Sequence, residues 1–527
     1  MVAAGGSGGR SRLAPRDLLR VIRRRAAICM VLVATLLPGT SHPASAQEQH
    51  VPFLTTHDLH GALTPRVYDW SGGRPVGGVA VLKTMMDAAE AECGCVTFRL
   101  DGGDQMQGTL ESNLVLGASA VAAFNMLRLD AAAVGNHDLD WGVATLRERQ
   151  SAANYAWLAA NVRVRATGAR PDWAPPYAII DRNGVRLGVI GWAPSTTGEV
   201  LTTATGAPFE FQESVSSIRD VLEQVRAQNP DFVAIVAHAN GDCEGGCGGE
   251  MVSLAESLEP GSVDLIVGGH RHVPGYGVVN GIPLLRAGSN GRALGVIDFF
   301  RTASGRKRFT VRVDTAFSDV IAPDPQVTAA LAADLARADS LSRRPIATLA
   351  GPMARGGTEY GLGRLVADAV RATAGTQVAL SNRGGVRNGL PGGVITYGDL
   401  FLVKPFGNTV YRFELTGQQL YEVIEHAVRG GSPEFLSGIR MRYDGSEPSG
   451  ERVESIELTD GTPVVDSGRY TFASSDFLGG RGDGFAMLEA IEPERLGITV
   501  LDTLIARIQS LPEPVVAPED QRTLPLG

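Results

Sequence analysis

The sequence predicts an α/β protein in two parts: a layered N-terminal domain over residues 47–315 and a separate α+β domain over 346–512. Three observations carry this. Between about residues 51 and 300, short β-branched apolar runs end at once in Gly, Asp, His or Asn, as in 95–100 before Asp101-Gly-Gly-Asp104, 232–236 before His238 and 263–267 before Gly268-Gly-His270-Arg-His272. Such runs read as buried strands with functional groups at their carboxyl ends, where open α/β sheets place their sites. The texture then changes over 316–345. Asp324-Pro325 supplies an N-cap and first-turn pair, and Val327, Leu331 and Leu335 mark one face of a helix that stops before Pro345, read as an interdomain linker. A second unit follows, in which 409–415 reads as a strand. Thr416 and Gln419 form a capping box, and Leu420, Val423, Ile424, Ala427 and Val428 line one helical face. Residues 513–527, rich in Pro and Glu, read as a loose tail.

Composition agrees with a globular chain that can bury a large core: 527 residues, 44% apolar and 20% charged. Residues 1–46 read as an export signal. Arg16, Arg20 and Arg23 to Arg25 are cationic, residues 26–37 are apolar, and Ala44-Ser45-Ala46 is a small-residue cleavage site, giving a mature start at Gln47. The apolar run is short against the roughly 20 residues of a membrane span, so no stable anchor is expected after cleavage. The removed segment holds seven Arg and one Asp, so 41 basic and 56 acidic residues remain, a net charge of −15. That balance argues against nucleic-acid binding through a basic surface. The expected location is periplasmic or secreted. Cys93/Cys95 and Cys243/Cys247 remain as two close pairs, read as disulfides with Cys243–Cys247 foremost, since neither spacing fits a structural zinc site.

Five of the nine histidines fall in short polar clusters at strand ends: Asp58-Leu-His60, Gly135-Asn136-His137-Asp138, Ala237-His238 and His270-Arg-His272, with Gly103-Asp104 between the first two. D-x-H and H-x-H just past a strand put both side chains on one side of a turning backbone. Carboxylate, imidazole and amide oxygen together suit a borderline divalent metal. One such cluster is weak evidence, but five in this order are strong.

In that order the motifs resemble the calcineurin-like metallophosphoesterases, which implies an αββα sandwich with a two-metal centre over residues 51 to about 300. Asn382-Arg-Gly-Gly-Val-Arg387, Lys404-Pro-Phe406-Gly-Asn408 and Phe477-Leu-Gly-Gly-Arg-Gly-Asp483 resemble the C-terminal domain of the 5'-nucleotidase family. The resemblance implies an exported bacterial enzyme that releases phosphate from nucleoside 5'-monophosphates. It assigns one metal to Asp58, His60, Asp104 and His272 and the other to Asp104, Asn136, His238 and His270, with zinc or manganese as the ions. Between them the two metals would activate a bound water for attack on phosphorus. His137 resembles the histidine that stabilises or protonates the ester, with Asp140 orienting it. Phe406 and Phe477 match a nucleobase-stacking pair, Asp483 a ribose-binding acid, and Asn382, Gly384, Gly385, Arg387 and Asn408 further contacts to the nucleotide.

Two departures from the family pattern stand out. His57 replaces an asparagine before the first metal aspartate, which should alter hydrogen bonding around the ligands and leave the ligand set intact. In the run from Thr358 to Arg364, Gly361 and Arg364 differ from the expected residues. Alternatives on the same fold are a 2',3'-cyclic-nucleotide phosphodiesterase/3'-nucleotidase, a UDP-sugar hydrolase, a thiosulfohydrolase and a non-catalytic nucleotide-binding protein. Against the last, none of the ligand and acid positions carries an inert residue.

Overall fold

Strand Gln49–Thr56 shows how the first domain is built. Val51 and Phe53 point into one apolar layer and Leu54 into another, the period-2 pattern of a strand buried on both faces. It belongs to a six-stranded sheet ordered Lys307–Thr315, Ala293–Arg301, Gln49–Thr56, Phe98–Asp101, Ala131–Ala133, Ala156–Leu158. The last four strands run parallel. A second six-stranded sheet is ordered Gly275–Val279, Ile282–Arg286, Leu265–Val267, Phe232–Ala237, Val185–Trp192, Tyr177–Arg182, with four parallel strands at its centre.

Phe53, Phe98, Phe232 and Phe299 fill the space between the sheets, with Leu187 and Val236 among their neighbours. Helices Val79–Cys93, Ala118–Met126 and Gly142–Ala152 pack on the first sheet, and Ser216–Arg226 and Glu250–Glu256 on the second. This is the four-layer αββα order. The strand expected from residue 95 begins at Phe98, because Gly94 turns the chain with φ 60° and a Cys93–Cys95 disulfide holds the turn. Cys243 and Cys247 form a second disulfide.

The structure is a computed structural model and describes residues 48–526, except 202–205, 207, 214, 244, 245 and 431. The export signal expected over 1–46 lies outside the described residues. Among the described residues no helix is long and apolar enough to cross a membrane.

Helix Pro325–Ser342 starts as expected, with the Asp324 carboxylate accepting from the backbone N–H of Gln326 and Val327, both at 2.9 Å. Its Val327 and Leu331 belong to the first domain's core and Ala338 to the second's, so it is a packed wall rather than a free tether. The C-terminal part has a five-stranded sheet ordered Phe435–Ser437, Val378–Ser381, Arg469–Ser475, Thr409–Thr416, Glu494–Thr499. Helices Gly361–Ala374 and Val500–Gln509 cover one face and Gly417–Ala427 the other. The Thr416–Gln419 capping box is present.

The reading of 513–527 as a loose tail is corrected. Val515 is buried and bridges to Leu349, and Thr523–Pro525 adds a parallel strand to Ile439–Tyr443. Arg522, 7% exposed, makes a two-pronged ion pair with Asp368 at 2.7 and 2.9 Å. Apolar and ionic partners far away in sequence hold a segment whose composition resembles a linker.

Candidate active site

Five strands end at one place. Gln49–Thr56 leads to Asp58 and His60, Phe98–Asp101 to Asp104, Ala131–Ala133 to Asn136 and His137, Phe232–Ala237 to His238, and Leu265–Val267 to His270 and His272. These ends are carboxyl ends of parallel strands from both sheets, so the loops meet at one rim of the sandwich. Asp58, His60, Asp104 and His270 all have positive φ (47°, 50°, 56° and 69°), a conformation that non-glycine residues keep only where their surroundings enforce it. Enforcement is visible here. The Asp58 N–H donates to Gly103 C=O (2.9 Å), the His60 N–H to Asp104 C=O (3.0 Å), and the His137 N–H to the Asp104 carboxylate (2.8 Å). A Cβ on Gly135 would collide with the Asp104 carboxylate, which accounts for glycine in Gly-Asn-His.

The side chains expected to hold metal face one another. His60 Nε2 lies 3.6 Å and His272 Nε2 3.5 Å from Asp58 Oδ1, and the two Nε2 atoms are 3.0 Å apart. His238 Nε2 is 3.0 Å from Asp104 Oδ2, and His270 Nδ1 is 3.1 Å from Asn136 Oδ1. The His60 and His238 Nδ1–H groups donate to the carbonyls of Gln107 (2.7 Å) and Gly102 (2.8 Å), so both Nε2 lone pairs point inward. Asp58 Oδ1 and His238 Nε2 are buried with no hydrogen-bond partner among the described residues. Lone pairs at this spacing repel unless a cation lies among them, so the donor set fits divalent metal.

His137 stands beside the ligands with Nδ1 2.8 Å from Asp140 Oδ2 and its ring stacked on Phe406 at 5.7 Å. Burial would lower its imidazole, but Asp140 and Asp104 outweigh that and push it up to about 9. Asp138 is buried next to it. Its carboxylate accepts from the backbone N–H of Asp104 (3.1 Å), Gln105 and Gly135 (both 2.9 Å), tying two ligand loops together. His57 is buried and accepts the Gly288 N–H on Nε2 (2.6 Å). This leaves Nδ1–H to donate to Asp58 Oδ2 (2.5 Å), so the histidine orients a ligand carboxylate from behind.

A cleft of about 310 Å³ joins this centre to the C-terminal domain. On one side it is lined by Asp104, Asn136, His137, Asp140, His270 and His272, and on the other by Asn382, Gly384, Gly385, Arg387, Phe406, Asn408, Phe477 and Asp483. All the substrate residues expected from sequence thus lie in one cleft, together with most of the metal set; Asp58, His60 and His238 stand behind it. Asp483, at φ 51°, is fixed by the Asn382 amide (2.7 Å) and by His426 Nε2 at its own carbonyl (2.9 Å), and the Asn408 amide donates to Asp476 (2.9 Å).

Gly361 and Arg364 lie elsewhere. Arg364 donates to the Pro518 and Glu359 carbonyls, and a Cβ on Gly361 would crowd Ala517 and Pro518, so both departures serve the docked C-terminal segment. Sequence reading missed Gln107 and Asn113, whose amides donate to the Pro405 carbonyl at 3.3 and 2.8 Å and hold the Phe406 loop against the first domain. No local signal marks them, since their partner is nearly three hundred residues away.

Comparison with known proteins agrees with this geometry. Residues 345–490 match the family described as 5'-nucleotidase, C-terminal domain, and residues 86–282 match the bacterial capsule synthesis protein family PGA_cap. The chain is 27% identical over 523 residues to a 5'-nucleotidase of Vibrio parahaemolyticus, covering 88% of this chain and 90% of that one. It is 26% identical over 475 residues to the endonuclease YhcR of Bacillus subtilis, covering 84% of this chain and 38% of the relative's length. The crystal structure of a 5'-nucleotidase precursor from Thermus thermophilus matches with a TM-score of 0.77 at 26% identity, over 90% of this chain and 99% of that one. Fold and likenesses together define a two-domain hydrolase of phosphoric esters. Residues 345–490 match the 5'-nucleotidase C-terminal domain, and the chain over most of its length is similar to 5'-nucleotidases.

Proposed function

We propose that the protein is an exported phosphohydrolase that releases phosphate from nucleoside 5'-monophosphates. The observation that carries this is the single cleft in which Phe406, Phe477 and Asp483 face the same space as Asp104, His137 and His270. Two divalent ions, zinc or manganese, held by Asp58, His60, Asp104 and His272 and by Asp104, Asn136, His238 and His270, would supply Lewis-acid stabilisation and an activated water.

The chain's own groups do the rest. Phe406 and Phe477 hold the flat base, and Asp483, steadied by Asn382, accepts from the ribose hydroxyls. Arg387 presents its guanidinium 5.6 Å over the Phe406 ring, beside the phosphate position. His137, protonated at neutral pH and oriented by Asp140, donates to the departing ester oxygen as the P–O bond breaks. Export is supported by the cationic and apolar N-terminal run and by four cysteines paired as two disulfides. The domain boundaries we assign are 47–315, 316–345 for the linking helix and 346–512, with the C-terminal segment part of the second domain.

Phe477→Ala tests the division of labour. It should raise KM for AMP by the loss of a stack, about 1–3 kcal/mol or roughly 5- to 150-fold, while hydrolysis of p-nitrophenyl phosphate changes far less. Equal damage to both substrates would mean that Phe477 supports the fold and that the nucleoside assignment lacks its main support.

A further inference from the structure

The Cys93–Cys95 disulfide has no part in the reaction above. It lies at the amino ends of strands whose carboxyl ends carry Asp58 and Asp104. Helix Val79–Cys93 finishes at one sulfur, and strand Phe98–Asp101 begins shortly after the other. His50 faces the pair from the start of strand Gln49–Thr56, which runs about 20 Å before the loop of Asp58 begins.

The imidazole is held for chemistry at sulfur. Its Nδ1 is 3.5 Å from Cys93 Sγ, and one ring nitrogen and both sulfurs lie within 4.8 Å of one another. Asp298 accepts from His50 Nε2–H at 2.8 Å and is itself held by Arg312 at 2.5 Å. The His50 ring stacks on Phe300, with centroids 4.5 Å apart and 8° between the planes. Nε2 is thus engaged by a carboxylate, and Nδ1 is turned to sulfur. His50, Cys93 and Cys95 are all only partly buried, so a thiol can reach them from solvent.

We propose that Cys93, Cys95 and His50 form a thiol–disulfide exchange site that oxidises pairs of thiols to disulfides. The site is independent of the nucleotidase reading. A crosslink at a sequence separation of 2 takes little freedom from the unfolded chain, so it adds little to stability. The turn also has a hold of its own, the Gly94 N–H donating to Glu90 C=O at 3.0 Å, so the sulfurs can part with the fold in place. In the reaction, the first client thiol gives its proton to His50 Nδ1 and its sulfur attacks Cys95 Sγ. The S–S bond breaks, and its electron pair leaves on Cys93. The carboxyl end of the helix disfavours a negative sulfur there, and the Nδ1 proton neutralises it. The second client sulfur then attacks the first, and Cys95 leaves with that thiol's proton. The client loses two electrons and becomes a disulfide, while Cys93 and Cys95 become thiols. A small disulfide such as oxidised glutathione restores the pair by the reverse exchange.

The test follows oxidation of a short peptide bearing two cysteines by the full-length mature, manganese-loaded enzyme, with oxidised glutathione as co-reactant. Alkylation and mass spectrometry locate the enzyme thiols that form. Turnover above the uncatalysed rate is expected, with label on Cys93 and Cys95. Replacing both by serine should return the rate to the uncatalysed one. His50→Ala should lower it about 10²-fold and make it climb with pH as client thiols ionise unaided, which a packing role alone would not do. Asp298→Asn, which leaves the ring in place, should cause a smaller loss of the same kind. AMP hydrolysis should be unchanged in every variant. A disulfide that stays closed in the folded protein would overturn the proposal, as would a rate and pH profile unaltered in His50→Ala. Label on Cys243 and Cys247 instead would assign the exchange to that pair and overturn it too. A parallel loss of AMP hydrolysis in the double serine variant would make the crosslink a support of the fold, against the proposal.

Discussion

His137 is the side chain on which rate should depend most without loss of the ligands, because its contacts are Asp140, Phe406 and the neighbouring His60 ring while its own imidazole belongs to neither metal set. His137→Asn should keep the metal content and lower kcat by roughly 10²- to 10⁴-fold, the usual size of a proton-donor contribution. An unchanged kcat in the metal-loaded variant would reject the role. Glu434 gives a different test, on stability. Burial and the neighbouring Asp483 push its carboxyl up to about 7, while its oxygen accepts the Arg383 N–H. The folded chain therefore holds a proton that the unfolded chain has released once the pH passes about 4.5. This group's contribution is fully present below that value and is lost as pH rises through about 7. Glu434→Gln should flatten the loss: its Tm relative to the unmutated protein should rise between pH 5 and pH 8. Parallel Tm curves would contradict the assignment.

The loops at strand ends were legible in the sequence because their chemistry is local. A short apolar run followed by Asp-x-His or His-x-His announces both the strand and the polar cluster at its end, and Asp324-Pro325 and Thr416/Gln419 announce helix starts through side-chain caps that the structure contains. The C-terminal segment was not legible. Its residues look like a linker, and what orders it is partners more than 150 positions away, Leu349 for Val515 and Asp368 for Arg522. Arg522→Ala should therefore destabilise the protein by roughly 3–5 kcal/mol, since it strands a largely buried Asp368 carboxylate. Denaturant unfolding measures this. A change below about 0.5 kcal/mol would mean that the segment is as loose as its composition looks.

Residues 48–527 form one compact unit, and the cleft owes its two-sided character to that. One wall is the rim where both six-stranded sheets end, and the other is a set of C-terminal loops held there by Gln107 and Asn113 gripping Pro405. The residues on each wall of the cleft could be read from motifs. Their meeting could not, because it depends on Gln107 and Asn113 reaching Pro405 across nearly three hundred positions. On the function proposed here, Asp104 would serve both divalent ions, and turnover of a nucleotide would depend on them. The most direct measurement is metal content against phosphate release from AMP, for chelated enzyme titrated with manganese or zinc, alongside Asp104→Ala. We expect no turnover after chelation, recovery that levels off at two ions per chain, and in Asp104→Ala fewer than two ions with no recovery. Full phosphate release by metal-free enzyme, or two ions retained in Asp104→Ala, would contradict the account.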